Sequence, residues 1–284
     1  MAFATAEHWE ERLASEAEHL DWLCSYATLR KIVLDLLNHW PPPLPNILLV
    51  GTGLSTFAED LYDNGFKYIT VLDFAASAAE VHRQRAARPA RTGLQVVQRS
   101  VADAEWPELD GTPDGGREFG IVVDKGVIDC LLTARDGIDR AAAAVANVFS
   151  RMTTPGVWIS VSHSPPGQRR DMYCTTAASA AGLSPVYWHE FKVKRVRLPP
   201  LEYAATSTLP GPEEVEDMPG AGFRLSAPPG ATDPQPQGAA GRVAAASVGG
   251  GAAEKTPAQG QGSQGECDDL EFQEDVAYIY IMTK

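Results

Sequence analysis

Asn46-Ile47-Leu48-Leu49-Val50-Gly51-Thr52-Gly53-Leu54-Ser55-Thr56 decides how the rest of the chain is read. Four apolar residues run straight into a Gly-x-Gly turn. An uninterrupted apolar run bounded by turn residues is the pattern of a strand buried on both faces. Glycine accepts positive φ and lets a ligand approach the backbone closely. A helix is expected at once, because Thr56 and Glu59 have capping-box spacing and Asn64-Gly65 supplies a stop. Strand, glycine turn and helix N-terminus together make a nucleotide site; without a ligand they make a tight strand-to-helix turn.

Outward from that turn, strands and helices alternate. Tyr68-Ile69-Thr70-Val71-Leu72-Asp73 reads as a strand ending in an acid, twenty residues beyond Gly53. At that spacing an acid reaches ribose hydroxyls in nucleotide-binding βαβ units, though it could also simply end the strand. Ser77 and Glu80 repeat the capping-box spacing, so a helix is expected over 77–88, stopping before Pro89. Residues 94–98 form a short strand, followed by Ser100-Val101-Ala102-Asp103, where a base could be contacted. Residues 119–124 are a fourth strand ending in Asp124, with Lys125-Gly126 next; Asp124 could also cap the helix over 127–132. A helix over 139–152 is broken by Pro155-Gly156, and 157–162 are the fifth strand. Residues 173–182 read as a helix, and 186–196 and 276–282 as a closing pair of strands.

Upstream, 6–20 read as a polar helix carrying Trp9. Residues 25–39 carry Leu29, Ile32, Val33, Leu36 and Leu37 at helical spacing, up to Pro41-Pro42-Pro43. Trp22 and Tyr26, between them, suit either ordinary packing or a lid over a ligand. The sum is an α/β fold, Rossmann-like and doubly wound, with about five parallel strands and an antiparallel C-terminal edge. Ligands in such folds bind at the carboxyl ends of the strands. Gly51 and Gly53, Asp73, 100–103, and Asp124 with Lys125 all fall there.

The chain has 284 residues and a net charge of -13. Residues 201–275 hold about 13 acids and 3 bases, so most of the charge sits in that stretch. The remainder is nearly neutral and shows no basic face, which argues against nucleic-acid binding. No apolar run reaches membrane-spanning length, and residues 1–18 have no signal-peptide apolar core. Cys24, Cys130, Cys174 and Cys267 form no CxxC pair, and the six histidines show no HxxxH spacing. Zinc and a disulfide framework are thereby disfavoured, and a cytoplasmic, reducing setting is expected. From 198 to 269 the chain is rich in Pro, Gly, Ala, Ser and Gln and acidic, so it is expected to be a disordered insertion between the last two strands of one domain, 1–284.

A dinucleotide fingerprint needs G-x-G-x-x-G, and Thr56 stands at the third glycine position. S-adenosyl-L-methionine has no phosphate and tolerates a more crowded turn. The antiparallel closing strands also fit the seven-strand methyltransferase architecture. Methyl transfer is thus favoured over hydride transfer from a nicotinamide.

At this point the chain resembles the seven-strand methyltransferase family that includes the elongation factor 1-alpha lysine methyltransferases and the citrate synthase lysine methyltransferase. The resemblance rests on His8-Trp9-Glu10-Glu11-Arg12, Asp21-Trp22, the run 47–53, Ser55, Glu59-Asp60-Leu61-Tyr62, Gly65-Phe66 and Asp73, together with 119–123 and Asp124-Lys125-Gly126 with Ile128-Asp129. It covers residues from about 7 to 196 and the final strand. It implies that Trp9 and Trp22 sit over the cofactor and that Gly51 lies against its methionine moiety. Asp73 would bind the ribose, with Phe74 beside the adenine, and Asp124 and Lys125 would line the methionine end. The adenine-side acid of the family falls at Ser100, with Val101 next, or at Asp103 after a short shift. Leu13, Leu23, Thr52, Leu54 and Ser100 depart from the family pattern.

The implied reaction is in-line transfer of the sulfonium methyl to a neutral amine, with a protein lysine as acceptor and elongation factor 1-alpha as a candidate partner. Trp22, Tyr26 and Trp188 are candidates to hold that lysine by cation–π contact, and no catalytic base is evident. The alternatives are a scaffold protein with a weakened methyltransferase fold and a small-molecule methyltransferase. If 198–269 are an insertion, deleting 205–265 leaves the melting temperature nearly unchanged; a large drop would sink that reading.

Overall fold

The computed structural model describes residues 3–15, 23–24, 26–87, 91–110, 118–173, 186, 188–197, 215–218 and 276–284. Two helices come first, α1 (Ala6–Ser15) and α2 (Tyr26–Asn38). The wholly buried strand β1 (Ile47–Val50) follows, then α3 (Phe57–Asp63), β2 (Ile69–Asp73), α4 (Ala76–Ala87) and β3 (Leu94–Gln98). After α5 (Pro107–Asp110) come β4 (Phe119–Lys125), α6 (Val127–Leu132), α7 (Gly137–Ser150), β5 (Met152–Ser162) and α8 (Pro166–Tyr173). β6 (Glu190–Arg197), β7 (Val215–Asp217) and β8 (Val276–Thr283) complete the sheet.

The sheet order is β3-β2-β1-β4-β5-β8-β6-β7. The first five strands in sequence pair in parallel, and β8 lies antiparallel between β5 and β6. The expected doubly wound sheet with an antiparallel edge is therefore present. Its two faces are distinct cores, because successive residues on a strand point to opposite sides. Ile47, Leu49, Ile69, Val71, Ile121 and Val123 pack with Leu29 and Val33 of α2 and Phe57 and Leu61 of α3. Leu48, Val50, Leu72, Val122 and Trp158 pack with Val145 and Val148 of α7 and with Trp106 and Tyr173.

Several local expectations change. Neither capping box forms. Thr56 makes no side-chain cap bond; its hydroxyl goes to Asp60 at 2.9 Å, while Glu59 turns inward to His82. At α4 the N-terminal amides of Ala76 and Ser77 are taken by Glu10 of α1, so a distant acid caps the helix in place of Glu80. Pro155-Gly156 does not precede β5 but lies inside it. The β4 pairing jumps from Phe119↔Met152 to Ile121↔Val157, and this irregularity accommodates a residue with no N–H. Helix α8 was not expected, and 174–182 lie outside the described residues. Trp188 is core, packed on Trp158 and Phe149 with Nε1 donating 2.8 Å to the Tyr173 carbonyl, so it cannot grip a substrate lysine. Most of 198–269 also lies outside the described residues; within it, Val215–Asp217 form β7 on the edge of β6.

The parity of β4 places Asp124 on the same face as Trp158, whose Nε1 donates 2.8 Å to Oδ2. Oδ1 has no hydrogen-bond partner among the described residues. Burial pushes the carboxyl up to about 7, the Trp158 bond opposing it only in part. In the unfolded chain the same carboxyl ionises near pH ~4. Unfolding therefore releases a proton between those values, and stability falls as pH rises from about 4 towards 7. Urea titrations should find the protein less stable at about pH 7.5 than at about pH 5 by on the order of 2 kcal/mol from this group. Asp124→Asn should remove that share of the slope, and an unchanged slope in the variant would show that Asp124 is not its source.

Candidate functional site

A cavity of about 620 Å³ opens at the carboxyl ends of β1, β2 and β4. Gly51, Thr52 and Gly53 of the turn after β1 line it, with Val127 of α6. Gly51 and Gly53 have φ of +62° and +55°, a conformation that L side chains rarely adopt. A Cβ on Gly51 would also come within 2.4 Å of Val127 Cγ2, so this position has no room for a side chain.

Asp73, at the end of β2, shapes the turn as well as the cavity wall. Its Oδ2 accepts from the Gly53 N–H at 2.9 Å and its Oδ1 from the Ala75 N–H at 3.0 Å. Burial raises its pKa, and these two amide bonds oppose the rise. Phe74 lies beside it on the same cavity. Beyond β3, Ser100, Val101 and Asp103 also reach the cavity. The Ala102 N–H donates to Ser100 Oγ, the Ser100 N–H to Asp103 Oδ2, and Asn147 Nδ2 of α7 to the carbonyls of Val101 and Asp103. Ser100 and Asp103, the alternatives that the family resemblance left open, thus belong to one turn, and both line the cavity.

Helix α1 covers the cavity with Trp9, Arg12 and Leu13. The Trp9 Nε1 donates 2.7 Å to the Phe3 carbonyl, and the Arg12 guanidinium lies 5.3 Å from the indole centroid. Lys125 also lines the cavity, with Nζ donating 3.0 Å to the Cys24 carbonyl just before α2. Asp124 is not among the lining residues. Asp124 borders instead a small hollow that it shares with Gly51, Thr52 and Lys125. Of the residues expected from sequence, Trp9, Gly51, Gly53, Asp73, Phe74, Ser100, Val101, Asp103 and Lys125 converge. Asp124 is buried next to the turn with its carboxyl on Trp158, outside this cavity, and Trp22 and the Tyr26 side chain lie outside the described residues.

Cys130 and Arg140 line the cavity without having been expected there. Burial, with the charge of Asp129 beside it, pushes the Cys130 thiol up to about 12, which leaves it neutral and a poor nucleophile. Asp129 itself is a tie between α6, the end of β5 and α8. It accepts from the Ser162 hydroxyl at 2.6 Å and the His163 N–H at 2.9 Å, and it pairs with Arg169. No signal in the sequence joins residues so far apart. Among the described residues no group of three or more His, Cys, Asp or Glu could hold a metal ion, and no helix is long and apolar enough to cross a membrane.

The hydrogen bonding restricts what the cavity takes. A pyrophosphate wants free amides at the turn and the helix start. The Gly53, Ser55 and Phe57 N–H groups are already given to Asp73, the Thr52 carbonyl and Ser55 Oγ. Glu59 and Asp60 stand in the first turn of α3, and Asp73 is adjacent. The turn therefore offers few free amides to a phosphate, which a ligand without phosphate does not need.

No protein-family model matches the chain. Methyltransferase srdJ of Neurospora crassa is 31% identical over 163 residues, covering 57% of this chain and 67% of that protein. EEF1A lysine methyltransferase 4 of Bos taurus is 26% identical over 186 residues, covering 60% and 66%. The eEF1A lysine and N-terminal methyltransferase of Danio rerio is 28% identical over 155 residues, which cover 52% of this chain and only 20% of that protein. Among solved structures, the glycopeptide N-methyltransferase MtfA complexed with S-adenosylmethionine is 15% identical, covering 74% of this chain and 71% of that one with a TM-score of 0.37. S-adenosylmethionine-bound CalS10, an amino pentose methyltransferase, is 17% identical, covering 57% and 58% with a TM-score of 0.39. The sheet order and the srdJ match over two thirds of that protein lead to one assignment: the chain belongs to the seven-strand S-adenosylmethionine-dependent methyltransferase family.

Proposed function

We propose that the chain transfers the methyl group of S-adenosylmethionine to the side-chain amine of a lysine in a protein. The observation that carries the cofactor half is the cavity itself, lined by Asp73, Phe74 and Asp103 with the turn amides already engaged. Asp73 would receive the ribose hydroxyls on its remaining lone pairs, Phe74 would lie along the adenine, and the turn of Ser100, Val101 and Asp103 would meet the adenine edge. Gly51 and Gly53 would let the methionine portion lie against the backbone, with Trp9 above and Lys125 beside it. The bound cofactor supplies an electrophilic methyl on a sulfonium. The chain's own part is to exclude water and hold the incoming amine in line, which provides most of the acceleration in a displacement of this kind. Low dielectric at the mouth favours the neutral amine that the reaction needs.

The acceptor half rests on relatives named for lysine methylation of eEF1A, at 24–28% identity. Elongation factor 1-alpha is accordingly the first partner to test. The setting we propose is cytoplasmic, in keeping with Cys24 and Cys130 both being free thiols. The stretch 198–269 is read as an acidic insertion within one domain.

Incubating the protein with a proteome and radiolabelled S-adenosylmethionine tests activity and acceptor class together. One or a few discrete labelled protein bands are expected, lost in Asp73→Ala, with the label on lysine after digestion. Label only in the small-molecule fraction would replace the acceptor by a metabolite. No transfer, with the cofactor still bound, would leave a scaffold.

A further inference from the structure

Behind the glycine turn, on the side away from the cavity, lies a buried polar cluster that the cofactor reading does not use. His82 of α4 is fully buried. Its Nε2 is 2.9 Å from the Gly53 carbonyl and 2.9 Å from the Thr52 hydroxyl. Its Nδ1 is 3.1 Å from Glu59 Oε1. A carbonyl only accepts, so Nε2 carries the hydrogen in that contact. Three residues on, Arg85 Nη1 donates to the carbonyls of Leu54 at 2.9 Å and Ser55 at 3.0 Å. Both side chains project from one face of α4 and converge on Glu59, which is 3.9 Å from Arg85. Burial raises the Glu59 pKa, but the bond and charge of His82, with Arg85, outweigh it, and the net shift is downward. Glu59 is therefore the counter-ion that lets two donors sit beneath the turn.

We propose that His82, assisted by Arg85, is a positioning residue for the cofactor, acting through the backbone on either side of the Gly53 Cα from behind the cavity. The inference rests on the methyltransferase reading of that cavity. Gly53 is held from both sides: its N–H by Asp73 and its C=O by His82. It has no Cβ and stands at φ +55°, with space around it. Glycine populates many conformations when nothing holds it. Without the His82 donor the part-buried Gly53 carbonyl loses its partner, and the Gly53–Leu54 peptide turns to find another. The carbonyl and the N–H of Gly53 lie in successive peptide planes that share its Cα, so this rotation shifts φ as well as ψ at Gly53, loosens the N–H bond to Asp73 and leaves the carboxylate that would meet the ribose held by the Ala75 N–H alone. His82 touches no ligand; its effect reaches the cavity through the two peptide planes that meet at the Gly53 Cα.

Calorimetric titration of the full chain with S-adenosylhomocysteine separates the two levels. Absence of binding by the unmodified protein would overturn the cofactor reading and this inference with it. Given binding, His82→Leu should raise the Kd about tenfold, the loss of one part-buried hydrogen bond to a carbonyl. His82→Gln, which keeps an N–H donor, should recover most of that loss. Arg85→Met, on a side chain 21% exposed, should weaken binding several-fold with little change in melting temperature, and so keeps the test open if His82→Leu fails to fold. Wild-type affinity in both His82→Leu and Arg85→Met, or equal losses in His82→Leu and His82→Gln, would overturn the clamp.

Discussion

The bond from the Gly53 N–H to Asp73 Oδ2 is the joint on which the functional end of this protein turns. It ties the turn after β1 to the last residue of β2, two neighbouring strands of a parallel sheet. Both the turn and the acid take their shape from it. The turn keeps its two positive φ values, and Asp73 is held at the cavity wall in a fixed orientation. The joint is only as firm as the sheet beneath it. Leu48, Leu49, Leu72 and Val71 are all fully buried, so the strand ends that carry the bond cannot drift apart.

The same joint explains why the cavity suits a ligand without phosphate and not a pyrophosphate. In a dinucleotide site the turn amides face the ligand. Here the Gly53, Ser55 and Phe57 amides are satisfied within the protein, so the turn has little to give a phosphate. The missing third glycine, with Thr56 in its place, is the sequence counterpart of that difference. Thr56 begins α3 and bonds Asp60 instead of leaving the helix end open.

Registers at the far side of the sheet locate the long excursion between β6 and β8. Arg197 pairs with Val276, and Tyr278 pairs with Ser162 at the carboxyl end of β5. The chain therefore leaves and re-enters the sheet at the same end as the cavity. β7 lies along that edge, with Glu216 and Asp217 paired to Arg195 and Lys194. Exposed pairs of this kind contribute little stability; what they show is that the acidic composition of the segment meets a basic strand, Lys192, Lys194, Arg195 and Arg197.

The amino-acid sequence by itself determined the fold and most of the cavity wall. The succession of strands and helices follows from alternating apolar runs and helical spacing, and these are local signals that need no partner to be read. Gly51, Gly53, Asp73, Phe74 and the turn 100–103 were legible because each follows a buried strand, and strand ends meet in a doubly wound sheet. Only the tertiary structure decided the faces and the long-range bonds. Asp124 and Lys125 are neighbours in sequence, yet the period of two sends one to the Trp158 core and the other to the cavity. Glu10 caps α4 from α1, His82 holds Gly53 from 29 residues away, and Arg169 meets Asp129 from 40. A hydrogen bond between side chains that distant leaves no periodicity in the sequence, because its geometry exists only once the two elements have packed.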